Sequence, residues 1–83
     1  MKKGSILIVE DENDVNRLLA TILSEYETKS AFSGTEAAMW LAQKRFDLVL
    51  LDLMLPGMTG EEVIADMRRQ GIKTPVIVIS AKQ

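Results

Sequence analysis

LVLLDLMLPGMTG, residues 48–60, passes from four apolar residues into an acid and then into a stretch rich in turn formers. A short, continuously apolar run bounded by turn residues is the pattern of a strand buried on both faces. Asp52 closes that run and is followed by Leu53. A carboxylate at or near a sheet core costs free energy unless something pairs with it. No helix begins at Asp52 for it to cap. The bland reading is a strand-end acid reaching into water. The apolar neighbours on both sides weigh against it and mark Asp52 as a candidate functional acid.

Two further runs have the same character: residues 6–9 (ILIV), preceded by Gly4, and residues 76–79 (VIVI), preceded by Pro75. Both read as buried strands. From Asp14 the period changes. Val15, Leu18, Leu19, Ile22 and Leu23 fall at i, i+3, i+4, i+7 and i+8, which predicts an amphipathic helix buried along that stripe. Asp11, Glu12, Asn13 and Asp14 offer caps and dipole-complementing charge at its start. Residues 27–31 are weakly patterned and read as a short edge strand. Ser33-Gly34-Thr35-Glu36 has the spacing of a capping box and opens a helix to about Lys44, with Ala37, Ala38, Leu41 and Trp40 facing inward. Thr59-Gly60-Glu61-Glu62 repeats the signature and opens a helix that turns Val63, Ile64 and Met67 inward, with Gly71 at its C-cap. The order is βαβαβαβ. Short apolar strands alternating with helices give an α/β fold with an open parallel sheet covered by helices.

Composition bounds the chemistry. The chain has 83 residues and a net charge of −2, and its ten Lys and Arg residues are scattered, so this segment is no nucleic-acid clamp. It contains neither Cys nor His. That excludes disulfides, thiolate chemistry, His-dependent triads and the commonest zinc ligand. No apolar stretch approaches a membrane span, and the four apolar residues before the acids at Glu10 are too few for a secretory signal, so a cytoplasmic protein is expected.

Glu10 and Asp11 follow the first strand as Asp52 follows the third. Ligands of open parallel sheets bind beyond the carboxyl ends of strands, where the strand order reverses. If those two strands are neighbours, Glu10, Asp11 and Asp52 converge. Neither motif carries a Lys or Arg, and a hard dication such as Mg2+ would relieve the repulsion. Taken alone, residues 10–14 read equally well as an acidic helix start. Ser80 follows the fourth strand, where a hydroxyl could reach an oxyanion held at Asp52; a polar strand terminus is the simpler alternative.

Taken together and in order, ILIVEDEND, FDLVLLDLMLPGMTGEEV and TPVIVISAK resemble the first strand and acidic pair, the phosphoacceptor strand and loop, and the fourth strand of the receiver domain of two-component response regulators. The resemblance implies a flavodoxin-like sheet with strand order 2-1-3-4. It implies that Asp52 accepts a phosphoryl group from a phosphohistidine on a sensor histidine kinase or phosphotransfer protein. It further implies that Asp11, Asp52 and the backbone carbonyl of Met54 ligate Mg2+, that Glu10 acts through a metal-bound water, and that Ser80 is the switch hydroxyl. Residues 1–83 are expected to form one partial receiver, because the family's fifth strand, its terminal lysine and its last two helices would follow Gln83. Lys82 comes too early to be that lysine and reads as a solvated loop charge. Phosphorylation of this segment is accordingly expected to be impaired. The free edge of the fourth strand is expected to associate with a second copy of the chain, giving a homodimer. Nucleic-acid contact would require an output domain outside these residues.

Three other functions would show different features. An association module on the same fold would fold without accepting phosphoryl groups. A Mg2+-dependent aspartyl phosphohydrolase would carry a second Asp two residues after its nucleophile, and Met54 stands there. A flavin-binding relative would need a Ser/Thr-rich phosphate loop after strand one, where EDEND would repel phosphate.

Overall fold

The computed structural model describes residues 2–79. Four strands, β1 (Ser5–Val9), β2 (Glu27–Ala31), β3 (Leu48–Asp52) and β4 (Val76–Ile79), alternate with three helices, α1 (Asn13–Ile22), α2 (Gly34–Gln43) and α3 (Gly60–Arg69). All strand pairs are parallel and the order is β2-β1-β3-β4, as expected. The polar segment ETKSA forms β2 and occupies one edge, where a strand need bury less. β1 and β3 are the central pair, with Leu7, Ile8, Val9, Val49 and Leu51 fully buried.

The alternation of side chains divides the core. Leu7, Val9, Val49 and Leu51 meet Ala37 and Leu41 of α2 and Val63 and Met67 of α3 on one face. Ile6, Ile8 and Leu50 meet Leu19, Ala20 and Leu23 on the α1 face. Small residues on α2 allow close approach to the sheet. Both anticipated helix starts are present. Thr59 and Glu62 form a reciprocal capping box. At α2 the pattern is shifted: Ser33 Oγ accepts from Glu36 N–H at 3.1 Å, but Glu36 reaches back to Phe32 N–H at 2.8 Å rather than to Ser33. Gly71 ends α3 where expected, and Ile72 N–H reaches the Met67 carbonyl at 2.9 Å.

α1 departs from its expected orientation. Leu19 and Leu23 of the expected stripe pack on the sheet, but Leu18 and Ile22 are 58% and 65% exposed, and the fully buried position is Asn16, with Ala20 partly buried beside it. Asn16 sets this rotation. Its side-chain amide donates to the Glu10 carbonyl at 3.0 Å, and its Oδ1 accepts from the Ser30 hydroxyl. A satisfied buried polar group therefore fixes which apolar neighbours face the sheet. The acids expected to cap α1 through their side chains do not: Glu12 is the N-cap and makes no side-chain cap hydrogen bond. β4 is not the buried strand its apolar run suggests: it is the outer strand among the described residues, with Val76 packed on the core and Ile77 and Val78 about half exposed. Ser80 and Lys82 lie outside the described residues. Among the described residues no helix is long and apolar enough to cross a membrane.

Candidate functional site

Parallel pairing of β1 with β3 brings their carboxyl ends side by side, with Val9 opposite Leu51. The next residues are Glu10 on one strand and Asp52 on the other. One carboxylate oxygen from each of Glu10, Asp11 and Asp52 lies within 4.8 Å of the others. The convergence anticipated from the sequence is therefore present. Glu10 and Asp52 are each 1% exposed, whereas Asp11 reaches solvent.

Local hydrogen bonds hold these side chains in place. Glu10 N–H donates to the Ala31 carbonyl at 3.0 Å, extending the β1–β2 ladder by one residue. Glu10 Oε2 accepts from Glu12 N–H at 2.9 Å, which folds the acidic segment back on itself as α1 begins. Asp52 Oδ1 accepts from Met54 N–H at 3.0 Å, so the first turn of the following loop fixes the carboxylate's rotation. Gly60 N–H then returns to the Leu53 carbonyl at 3.2 Å and seats α3 close behind the site. Met54 itself is 64% exposed.

Electrostatics decides what this arrangement can do. At a separation of 4.8 Å and an effective dielectric near 20, two full negative charges repel by roughly 3.5 kcal/mol. A cation placed among the three carboxylates would offset repulsion of that size. The donors are all hard oxygens, two buried and one open to solvent. That set fits Mg2+, which takes one or two carboxylates and keeps several waters, and it does not fit zinc, which prefers nitrogen and sulfur.

Sequence reasoning missed Asn16, which holds the Glu10 carbonyl. Its signal was present: Asn16 begins a row at i, i+3, i+4 and i+7 with Leu19, Ala20 and Leu23. A cavity of about 530 Å³ lies at the other end of the sheet, between Lys44, Phe46, Ile72 and Lys73, and does not touch the three acids. Helices end there rather than begin.

Comparison with known proteins agrees with this geometry. The family profile of the response regulator receiver domain matches residues 6–83. The transcriptional regulatory protein YkoG of Bacillus subtilis is 46% identical over 99% of this chain, which spans 37% of that protein. The chain spans about a third of the length of the curated regulators it matches first. The response regulator TrrA of Thermotoga maritima, solved in complex with Mg2+ and BeF, superposes with a TM-score of 0.88 at 35% identity, over all of this chain and 72% of its own. A response regulator receiver protein domain from Methanoculleus marisnigri gives a TM-score of 0.91 at 32% identity, over 98% of this chain and 69% of its own.

Proposed function

Because the chain belongs to the response regulator receiver domain family, we propose that it accepts a phosphoryl group on Asp52 from a phosphohistidine of a sensor kinase or phosphotransfer protein, with Mg2+ held by Asp11, Asp52 and the Met54 backbone carbonyl. The observation that carries this reading is the convergence of Glu10, Asp11 and Asp52 within 4.8 Å at the carboxyl ends of β1 and β3, two of them buried. An Asp52 oxygen attacks phosphorus in line; the new P–O bond forms as the P–N bond breaks, and the imidazole leaves. Such transfer depends on positioning and charge compensation more than on acid–base help. Met54 N–H fixes the nucleophile's rotation. When bound, Mg2+ would supply positive charge against the carboxylates and the incoming phosphoryl oxygens. Glu10 would act through the ion's hydration shell, and Ser80 would bond a phosphoryl oxygen; both roles rest on the family pattern. The module takes up a group and passes on a signal rather than turning over substrate. This reading puts the chain in the cytoplasm, and any DNA contact in a separate output domain.

Mass spectrometry of the intact chain tests it. After incubation with a small phosphodonor and Mg2+, one phosphoryl adduct is expected. It should vanish with a chelator and in Asp52→Asn. An adduct that persists in Asp52→Asn would refute the assignment.

Exposed Ile77 and Val78 on the outer strand favour a second reading, self-association of the same fold through β4. Light scattering that gives a monomer at micromolar concentration would exclude it.

A further inference from the structure

We infer that the amino end of α2 is a positioning element for the metal site, acting through the loop between β3 and α3. The inference deepens the function proposed above and rests on the Met54 carbonyl being a metal ligand. Gly34, the first residue of α2, is buried against this loop. Its N–H donates to the Pro56 carbonyl at 3.2 Å, which satisfies one of the helix's leading amides. A Cβ on Gly34 would stand 2.2 Å from the Met58 carbonyl oxygen and 2.8 Å from the Met58 carbonyl carbon. Those are backbone atoms and cannot swing aside as a side chain would. The fit is reciprocal. Gly57 of the loop has φ +77°, and a Cβ there would stand 2.9 Å from Thr35 Oγ1 of α2. Each partner thus contributes a glycine where the other's atoms come closest.

The loop has nowhere to hide a displacement. Upstream, Asp52 belongs to the sheet and pairs with Ile79, and its carboxylate is tied to Met54 N–H. Downstream, the reciprocal capping box at Thr59 and the Gly60–Leu53 hydrogen bond hold the start of α3. A side chain at Gly34 that pushes Met58 and Pro56 must therefore shift residues 54–57. That moves the Met54 carbonyl without touching any of the three acids. Coupling is mutual by thermodynamic necessity: metal binding that orders Met54 also tightens the contact between Pro56 and Gly34.

Two measurements test this. In calorimetric Mg2+ titrations, Gly34→Ala should bind about tenfold or more weakly than wild type, in the range seen when groups supporting metal ligands are changed. In the wild-type chain, saturating Mg2+ should slow hydrogen exchange of the Gly34 amide several-fold more than that of the Lys44 amide, which ends the same helix. A purely structural glycine would lower the melting temperature but leave both readings unchanged. Wild-type affinity in folded Gly34→Ala overturns the inference. So does equal slowing at Gly34 and Lys44, a result independent of whether the variant folds. Mg2+ binding that is lost in Asp52→Asn yet intact in Gly34→Ala sinks this inference alone. A wild-type chain that takes up no Mg2+ sinks the proposed function and the inference with it.

Discussion

Asp47 and Asp52 stand at the two ends of β3 and have opposite surroundings. Asp47 precedes the strand, is exposed, and its Oδ2 accepts from Ser5 N–H at 2.8 Å and the Ser5 hydroxyl at 3.5 Å. It ties the start of β1 to the start of β3. Asp52 closes the strand, is 1% exposed, and lies among two other carboxylates. The residue type is the same and the strand is the same. The difference is the end of a parallel sheet at which each sits. At the amino end the chain arrives from helix C-termini, with Lys44, Arg45 and Lys73 nearby. At the carboxyl end it leaves toward helix N-termini, whose leading amides and positive dipole ends accompany negative charge. One acid therefore serves as a staple, and the other is placed for chemistry.

The comparison can be broken in several ways. The largest effect is expected in phosphoryl uptake: Asp52→Asn should abolish the adduct, whereas Asp47→Asn should leave its yield unchanged. Equal losses would show that the two ends are not distinct. Next comes the strand joining them. Leu51 is fully buried, and Leu51→Ala should cost about 2–5 kcal/mol in urea unfolding while leaving the Mg2+ affinity of the folded fraction intact. A smaller cost, about 1 kcal/mol, is expected for Asp47→Ala, which removes the acceptor of Ser5 N–H. Thermal melting would read it, and a cost above that of Leu51→Ala would contradict the staple role. The smallest effect is expected at the exposed pair Lys3–Glu25, 2.8 Å apart at the same amino end. Lys3→Ala should change stability by no more than about 0.5 kcal/mol, and less in high salt.

Much of this was legible in the sequence, for physical reasons. Buried parallel strands are apolar on both faces, so residues 6–9 and 48–51 announced themselves, and β2 was found at residues 27–31 despite its polar composition. The acids were legible because Asp52 interrupts an apolar run and because parallel pairing makes the ends of β1 and β3 neighbours. The face of α1 was legible only in part. Leu19 and Leu23 of the anticipated stripe do pack on the sheet, but Leu18 and Ile22 are as apolar and stay exposed, and the tertiary hydrogen bond from Asn16 to the Glu10 carbonyl that accompanies this rotation has no local signal. The double duty of Gly34 was hidden as well. Ser33-Gly34-Thr35-Glu36 announces a helix start, but the contact with Met58 exists only once α2 and the loop are packed together. Local signals carry the elements; contacts distant in sequence carry their rotation and seating.

The most direct test of the central claim is a pair of melting curves, each with and without Mg2+, for wild type and Asp52→Asn. Saturating Mg2+ should raise the melting temperature of wild type while leaving the variant nearly unmoved. An Asp52→Asn chain that gains as much from Mg2+ as wild type does would contradict the assignment of Glu10, Asp11 and Asp52 as a metal and phosphoryl site.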